Sequence, residues 1–412
     1  MNLPFFIASR YLFSRRKKNF INVISFLSMA GVAVTTAALI IVLSVFNGLE
    51  TLLQSLNNSF DPEIKVQATR GKSFEASPEL IRRIESIEGV GIVTEVIEDY
   101  AYIRYRQANQ IVTIKGVSDN FIDQHRIQGN IVEGELKLHE NGINYAIIGR
   151  GIQFTLSIAV TDPMFPLEVY YIKNVKPSGI LDPSQYYSKE TIVPGGAFSI
   201  VQAFDDNYVL VPLEFAKNLL SYGNKRTSLE IKTDGASIFD VEDRIQDLLG
   251  PDFNVLNNEE QHQDLYRLLK MEKLFAFLAL SLLMIIGSIN IFFTLMMLAL
   301  DKKKDITVLS SMGASAQVVR NIFLAEGVLI AASGAFLGAI LGGVLCWLQI
   351  RYGFISMGME TSVTQGYPIK VTPIDFIATL AVVAIVTMVI SIRPAKLAAR
   401  FVNNNELLGK QV

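Results

Sequence analysis

A chain of 412 residues, 50% hydrophobic and only 18% charged, with a mean hydropathy of +0.35, is too apolar for a soluble protein of this size, so part of it belongs in lipid. A net charge of -2 gives no reason to expect nucleic acid as a partner. The single cysteine, Cys346, excludes an intramolecular disulfide and a cysteine metal site, while His125, His139 and His262 lack ligand spacing, which argues against a metalloenzyme.

Residues 1–25 carry Arg10, Arg15, Arg16, Lys17 and Lys18, and the first acidic residue is Glu50, a positive-inside pattern that places the N-terminus in the cytoplasm. Phe5, Phe6, Ile7, Tyr11, Leu12 and Phe13 beside those bases fit an amphipathic helix lying on the inner membrane surface, and equally a basic flank that only orients the first span. The apolar run from Phe26 to Phe46 is about long enough to cross the hydrocarbon core, and transmembrane helix 1 is set at 26–48. No small-residue cleavage site follows it, so it is a retained anchor rather than a signal peptide.

Residues 49–270 then lie outside and are numerous enough for a core of their own. The stretches EIKVQA, YAYIRYR, QIVTIKGV, LEVYYIK, YVLVPL and SLEIKT read as strands. Helices are expected at SPELIRRIESI, with Ser77 as cap and Pro78 in first position, at LEFAKNLLSYG, and at SIFDVEDRIQDLLG closed by Gly250. NEEQHQDLYRLLKMEK should run as a stalk into the second span.

Further spans follow at 271–300, 319–350 and 373–393, separated by an inner hairpin at 301–318 and a short outer loop at 351–372, with an inner tail at 394–412. Lys302, Lys303, Lys304, Arg320, Arg393, Lys396 and Arg400 fall on inner segments, against Arg351 and Lys370 in the outer loop. The fold class is a membrane protein with four transmembrane α-helices and a large extracytoplasmic α+β domain between the first and second.

Chemistry-bearing motifs are scarce. No phosphate loop of the G-x-x-x-x-G-K-[ST] form and no G-x-S-x-G turn occur, and GRGIQF has too few glycines to cradle a dinucleotide. Glu95, Glu98 and Asp99 read as a solvated strand edge rather than an acid pair. No catalytic constellation emerges, so the chain is not read as an enzyme. Mid-span polar residues are Ser, Thr and Asn290 only, which argues against an ion-coupled carrier. Gly334, Gly338 and Gly342 put small residues on one helix face, for close packing within the chain or against a second chain.

In the hairpin, Ile306, Leu309 and Met312 share a face and Gly313 is a plausible stop. Such a helix either docks in a partner's groove or lies on the lipid surface.

The string DITVLSSMGAS from Asp305, with Arg320, Phe323, Glu326 and Gly327 after it, resembles the motif of the FtsX-like permease family. FINVISFLSMAGVAVTTAALIIVLSVFNGLE followed by EIKV, together with YAIIGRGIQFTLSI and the stalk, is similar to the lipoprotein-releasing (LolC/LolE-type) permeases of that family over nearly the whole chain. SIRPAKLAAR resembles the family's closing segment, but FVNNNELL departs from its usual Asp-Pro ending.

The resemblance implies a multi-pass subunit of the bacterial inner membrane with both termini cytoplasmic. It implies pairing with a second permease chain, identical or homologous, and with two copies of a cytoplasmic ABC ATPase. ATP and magnesium would sit on that ATPase, and this chain would bind no cofactor. The lipoprotein substrate's acyl chains would enter between first spans and pass to a periplasmic lipoprotein carrier. Asp305, Ile306, Leu309, Met312, Gly313, Ala314 and Ser315 would form the coupling helix that docks the ATPase. Glu326 would brace the following helix, or be a plain interfacial carboxylate. Ser44, Phe46 and Asn47 would mark where substrate enters, or serve ordinary helix packing. The alternatives are a mechanically driven efflux permease, which usually carries a fused ATPase absent here, and a signalling subunit controlling a cell-wall hydrolase, whose outer domain is typically much smaller.

Overall fold

The computed structural model describes residues 3–12, 20–160, 164–173, 186–356 and 366–408. Phe13 and the basic run from Arg15 to Lys18 lie outside the described residues. In chain order the helices are α1 (Leu3–Leu12), α2 (Phe20–Phe60), α3 (Pro78–Glu85), α4 (Arg150–Leu156), α5 (Gln202–Asp205), α6 (Leu213–Leu220), α7 (Ile238–Leu249), α8 (Asn258–Gln261), α9 (Gln263–Asp301), α10 (Lys303–Ser311), α11 (Ala316–Tyr352) and α12 (Pro373–Leu408). The strands are β1 (Ile64–Ala68), β2 (Phe74–Glu75), β3 (Val90–Tyr105), β4 (Ala108–Val117), β5 (Ile131–Gly134), β6 (His139–Glu140), β7 (Ile143–Gly149), β8 (Leu167–Ile172), β9 (Tyr187–Phe198), β10 (Tyr208–Pro212), β11 (Lys225–Arg226), β12 (Ser228–Thr233) and β13 (Phe253–Asn257).

The chain divides into two units, one built from the residues up to Thr51 and from Arg267 onward, the other from Leu52 to Tyr266. The first is helical. Among the described residues four helices are long and apolar enough to cross a membrane: Val23–Phe60, Gln263–Asp301, Ala316–Tyr352 and Pro373–Val402. Their shared core takes Val32, Leu39 and Leu43 from α2, Met284, Ile291 and Leu295 from α9, Ile330, Ala331 and Ala335 from α11, and Val383 from α12.

The glycine stripe of α11 lies against α2. A Cβ at Gly334 would come within 2.6 Å of the Met29 carbonyl oxygen, one at Gly338 would strike the Ala33 carbonyl oxygen, and one at Gly342 would sit 3.2 Å from the Ala37 backbone. Packing within the chain accounts for that stripe, as small residues that let two helix backbones touch. Deeper toward the hairpin, Leu298, Ala299, Ile306, Val319, Phe323, Ala395, Ala398 and Val402 form a second cluster. Helix α1 packs against α11 with Ala8 fully buried, leaving Leu3 and Phe5 exposed.

Helix α2 does not stop where its apolar run does. Leu52, Leu53, Leu56 and Phe60 continue at helical spacing, so residues 49–60, read above as the start of the α+β domain, prolong the helix.

The second unit is built on two lobes that share β3. In the first, β13, β1, β12 and β3 lie side by side, all antiparallel, with α3 after β1 and α7 between β12 and β13. That is a split β-α-β arrangement of the ferredoxin-like kind, interrupted by a long insertion between β3 and β12. Its core joins Ile64, Val66, Leu229 and Ile231 to Ile84 of α3 and to Val241 and Ile245 of α7. Ser77 caps α3 by accepting from the Leu80 amide at 3.2 Å.

The insertion makes the second lobe. Strand β3 pairs with β4, β4 with β10, β10 with β7, β7 with β9, β9 with β8, and β8 again with β3, which closes a circuit of six strands. Closure removes the free edges that an open sheet would expose. Helices α4 and α6 supply Ile152, Leu156, Phe215, Ala216 and Leu219 to its core.

This topology corrects the reading of Glu95, Glu98 and Asp99. Strand β3 pairs with β12 as far as Val96 and with β4 from Val96 onward, and none of the three carboxylates is exposed, so they are no solvated edge. Glu95 accepts from Arg226 Nε at 2.7 Å and Glu98 from the Tyr208 hydroxyl at 3.0 Å. Asp99 is met by Lys72 and by the Tyr222 and Tyr171 hydroxyls at 2.9 and 3.2 Å. Burial would raise the Asp99 carboxyl, but these donors hold it below the usual range.

Candidate functional site

The turn from α10 into α11 explains its own sequence. The Ala314 amide donates to the Leu309 carbonyl at 3.0 Å and the Gly313 amide to the Ser310 carbonyl at 2.9 Å, the paired bonds that close a helix through a left-handed residue. Gly313 has φ +91°, where a side chain is strained even though the space around it is open. Ser315 then caps α11, accepting from the Val318 amide at 3.4 Å. Gly313, Ala314 and Ser315 are thus the stop, the bridge and the start of two helices. Their direct work is to set the hairpin's angle.

The helix itself divides by exposure. Met312 is 80% exposed and Val308 58%, Asp305 is exposed, and Leu309 is half-buried. Ile306, by contrast, is 1% exposed and packs with Val319, Phe323 and Ala398 inside the bundle. A contact made directly by Ile306 is therefore corrected: its side chain anchors α10 to its own chain, because the three-residue spacing that groups it with Leu309 and Met312 drifts round a short helix. Val308, not grouped with that face in the sequence, takes its place on the surface.

Glu326 lies one turn further along α11 from the hairpin's foot cluster and is 2% exposed, with no hydrogen-bond partner at Oε2 among the described residues. So closed a position does not suit an interfacial carboxylate. Next to it, a Cβ on Gly327 would meet the Ser391 side chain and come within 3.1 Å of Leu295. From helix α1, the centre of the Tyr11 ring lies 5.6 Å from Lys302 Nζ. Burial and the negative charges of Asp305 and Glu326 push the Tyr11 hydroxyl up to about 12.

At the opposite end of this unit lie Ser44, Phe46 and Asn47. Ser44 is fully buried, Phe46 half-buried and Asn47 7% exposed. The Ser44 carbonyl accepts from the Lys370 amide at 3.0 Å. Asn47 uses both ends of its amide: Nδ2 donates to Asp375 of α12 and Oδ1 accepts from Lys273 of α9, while the Thr372 hydroxyl donates to Asp375 at 2.6 Å. One carboxamide bridges two opposite charges carried by different spans, and so ties three helices together. Lys273, Thr372 and Asp375 escaped the sequence reading because charges near span ends look like ordinary interfacial residues until the spans are brought together.

Residues 277–401 match the family model described as the FtsX-like permease C-terminal domain, and residues 25–248 match that described as the MacB-like periplasmic core domain. The lipoprotein-releasing system transmembrane protein LolE of Haemophilus influenzae is 25% identical over 367 residues, covering 84% of this chain and 82% of that one. LolC of Buchnera aphidicola is 24% identical over 404 residues, covering 95% of each. The periplasmic region of MacB from Actinobacillus actinomycetemcomitans aligns with 51% of this chain and 94% of its own at 11% identity and a TM-score of 0.36.

Proposed function

We propose, since the chain belongs to the FtsX-like permease family and bears a MacB-like periplasmic core domain, that it is the permease subunit of an ABC transporter that releases lipoproteins from the bacterial inner membrane toward a periplasmic carrier. On this reading the hairpin and both termini face the cytoplasm, as the distribution of Lys and Arg favours. ATP and magnesium are held by a separate ATPase, present in two copies, and a second permease chain, identical or homologous, completes the membrane part. Anchoring of about 0.8 kcal/mol per buried CH₂ makes extraction of a multiply acylated protein costly, which is why an ATP-driven device is needed.

The observation that carries the reading is the hairpin. A helix of nine residues, fixed at its foot by Ile306 and at its end by the Gly313 turn, holds Val308 and Met312 out where nothing in the chain covers them among the described residues. A rigid arm with an apolar tip suits docking into the ATPase groove. Glu326, walled in beside Gly327, braces the helix that receives the push. Met312→Asp should abolish co-purification of the ATPase while the permease inserts normally, whereas Ile306→Asp should deplete the protein itself. Undiminished ATPase recovery with Met312→Asp would sink the docking assignment.

A further inference from the structure

The second unit holds a polar cleft built on one face of its sheet. Lys65 of β1 lies opposite Glu230, Gln67 opposite Ser228 of β12, and Ser228 opposite Val96 of β3, two residues before Glu98. Alternation along the strands therefore puts Lys65, Gln67, Ser228 and Glu98 on the same side. With Tyr208 of β10 they line a cleft of about 360 Å³, at the small end of the roughly 300–1,000 Å³ typical of ligand sites.

The side chains there differ in what they already hold. Asp99, also at the cleft, is taken up by Lys72, by the Tyr222 and Tyr171 hydroxyls and by the Tyr100 amide at 2.8 Å. Glu98 uses Oε1 to accept from the Tyr208 hydroxyl at 3.0 Å. Burial, and then the charge of Glu98, push that hydroxyl up, so it stays protonated and donates. Glu98 Oε2 has no partner among the described residues. The same holds for the half-buried Lys65 ammonium and Gln67 amide, and for the hydroxyl of Ser228, a residue only 1% exposed. A buried hydroxyl without a partner is costly, which favours a ligand that accepts from it.

The open groups sort by sign. The uncommitted donors of Lys65, Gln67 and Ser228 stand on β1 and β12 and suit an anion, whereas the uncommitted acceptor, Glu98, stands on β3 and suits a cation. Neighbouring strands lie about 4.8 Å apart, so the two poles are one to two strand spacings apart, roughly 5–10 Å. Two extended residues span at most about 7 Å. An acyl chain would leave every one of these groups desolvated and unpaired, which sets the cleft apart from the path of a lipoprotein's lipid. We propose that the cleft binds a dipeptide-sized zwitterion, with its carboxylate on Lys65, Gln67 and Ser228 and its ammonium on Glu98. The proposal goes beyond the transport reading and does not rest on it, since binding needs neither ATPase nor lipoprotein.

The test is saturation-transfer NMR on the full chain in detergent, with L-alanyl-L-alanine as the probe and acetate, ethylamine and glucose as comparisons. Saturable dipeptide binding at least tenfold tighter than that of any comparison is expected. Lys65→Met removes the cation from a half-buried strand position, and Glu98→Gln removes the negative charge while keeping an acceptor for Tyr208. Each should weaken dipeptide binding about tenfold, the scale of one charge-assisted contact, at an unchanged unfolding temperature. A wild-type chain that shows no saturable binding would overturn the proposal. So would glucose or acetate binding as tightly as the dipeptide, or an affinity left unchanged by both substitutions.

Discussion

Gly313 and Asn47 mark the two ends of what single residues disclose. Gly313 at the end of an apolar helical pattern can be read from the chain, since a left-handed stop is a local event that glycine alone enters without strain. Gly313→Val should cost the hairpin about 1–3 kcal/mol of local strain. It should appear as faster hydrogen exchange in α10 and reduced export at a normal protein level; unchanged exchange and export would show that the turn tolerates a side chain. Asn47 could not be read this way. Its meaning depends on Lys273 and Asp375, hundreds of residues away in sequence, and an amide facing them looks the same as an amide facing lipid headgroups until the fold is known. Ile306 failed for a related reason: spacing places residues on a face but does not say which face the bundle takes.

At the level of elements, apolar runs locate lipid rather than helix ends. The first run predicts a span at 26–48, while α2 extends from Phe20 to Phe60, because its outer turns are stabilised by Leu56 and Phe60 packing in the second unit. The glycine stripe was legible as a packing face, and the structure supplies its partner. Gly338→Ile should force α2 and α11 apart and cost about 1–3 kcal/mol of overpacking, seen as a lower unfolding temperature in detergent. Gly343→Ala, where the nearest atom to a Cβ is Phe376 Cζ at 3.9 Å, should leave that temperature unchanged. Equal melting of the two variants would show that the contact between α2 and α11 is not tight.

For the whole molecule, the sequence disclosed strands but not their order. The ferredoxin-like lobe puts β3 beside β12 across an insertion of more than a hundred residues, and the six-strand circuit closes through the parallel pairs β4 with β10 and β7 with β9. Local alternation carries no trace of such pairings. Among the described residues, the chain passes from one unit to the other within α2 and within α9.

The central claim is that this permease couples a separate ATPase to lipoprotein release. Its most direct test is mass spectrometry of everything that co-purifies with the tagged wild-type chain in mild detergent. A phosphate-loop ATPase together with acylated lipoproteins is the predicted result. Recovery of no ATPase, or of an ATPase with a cell-wall hydrolase and no lipoprotein, would contradict it.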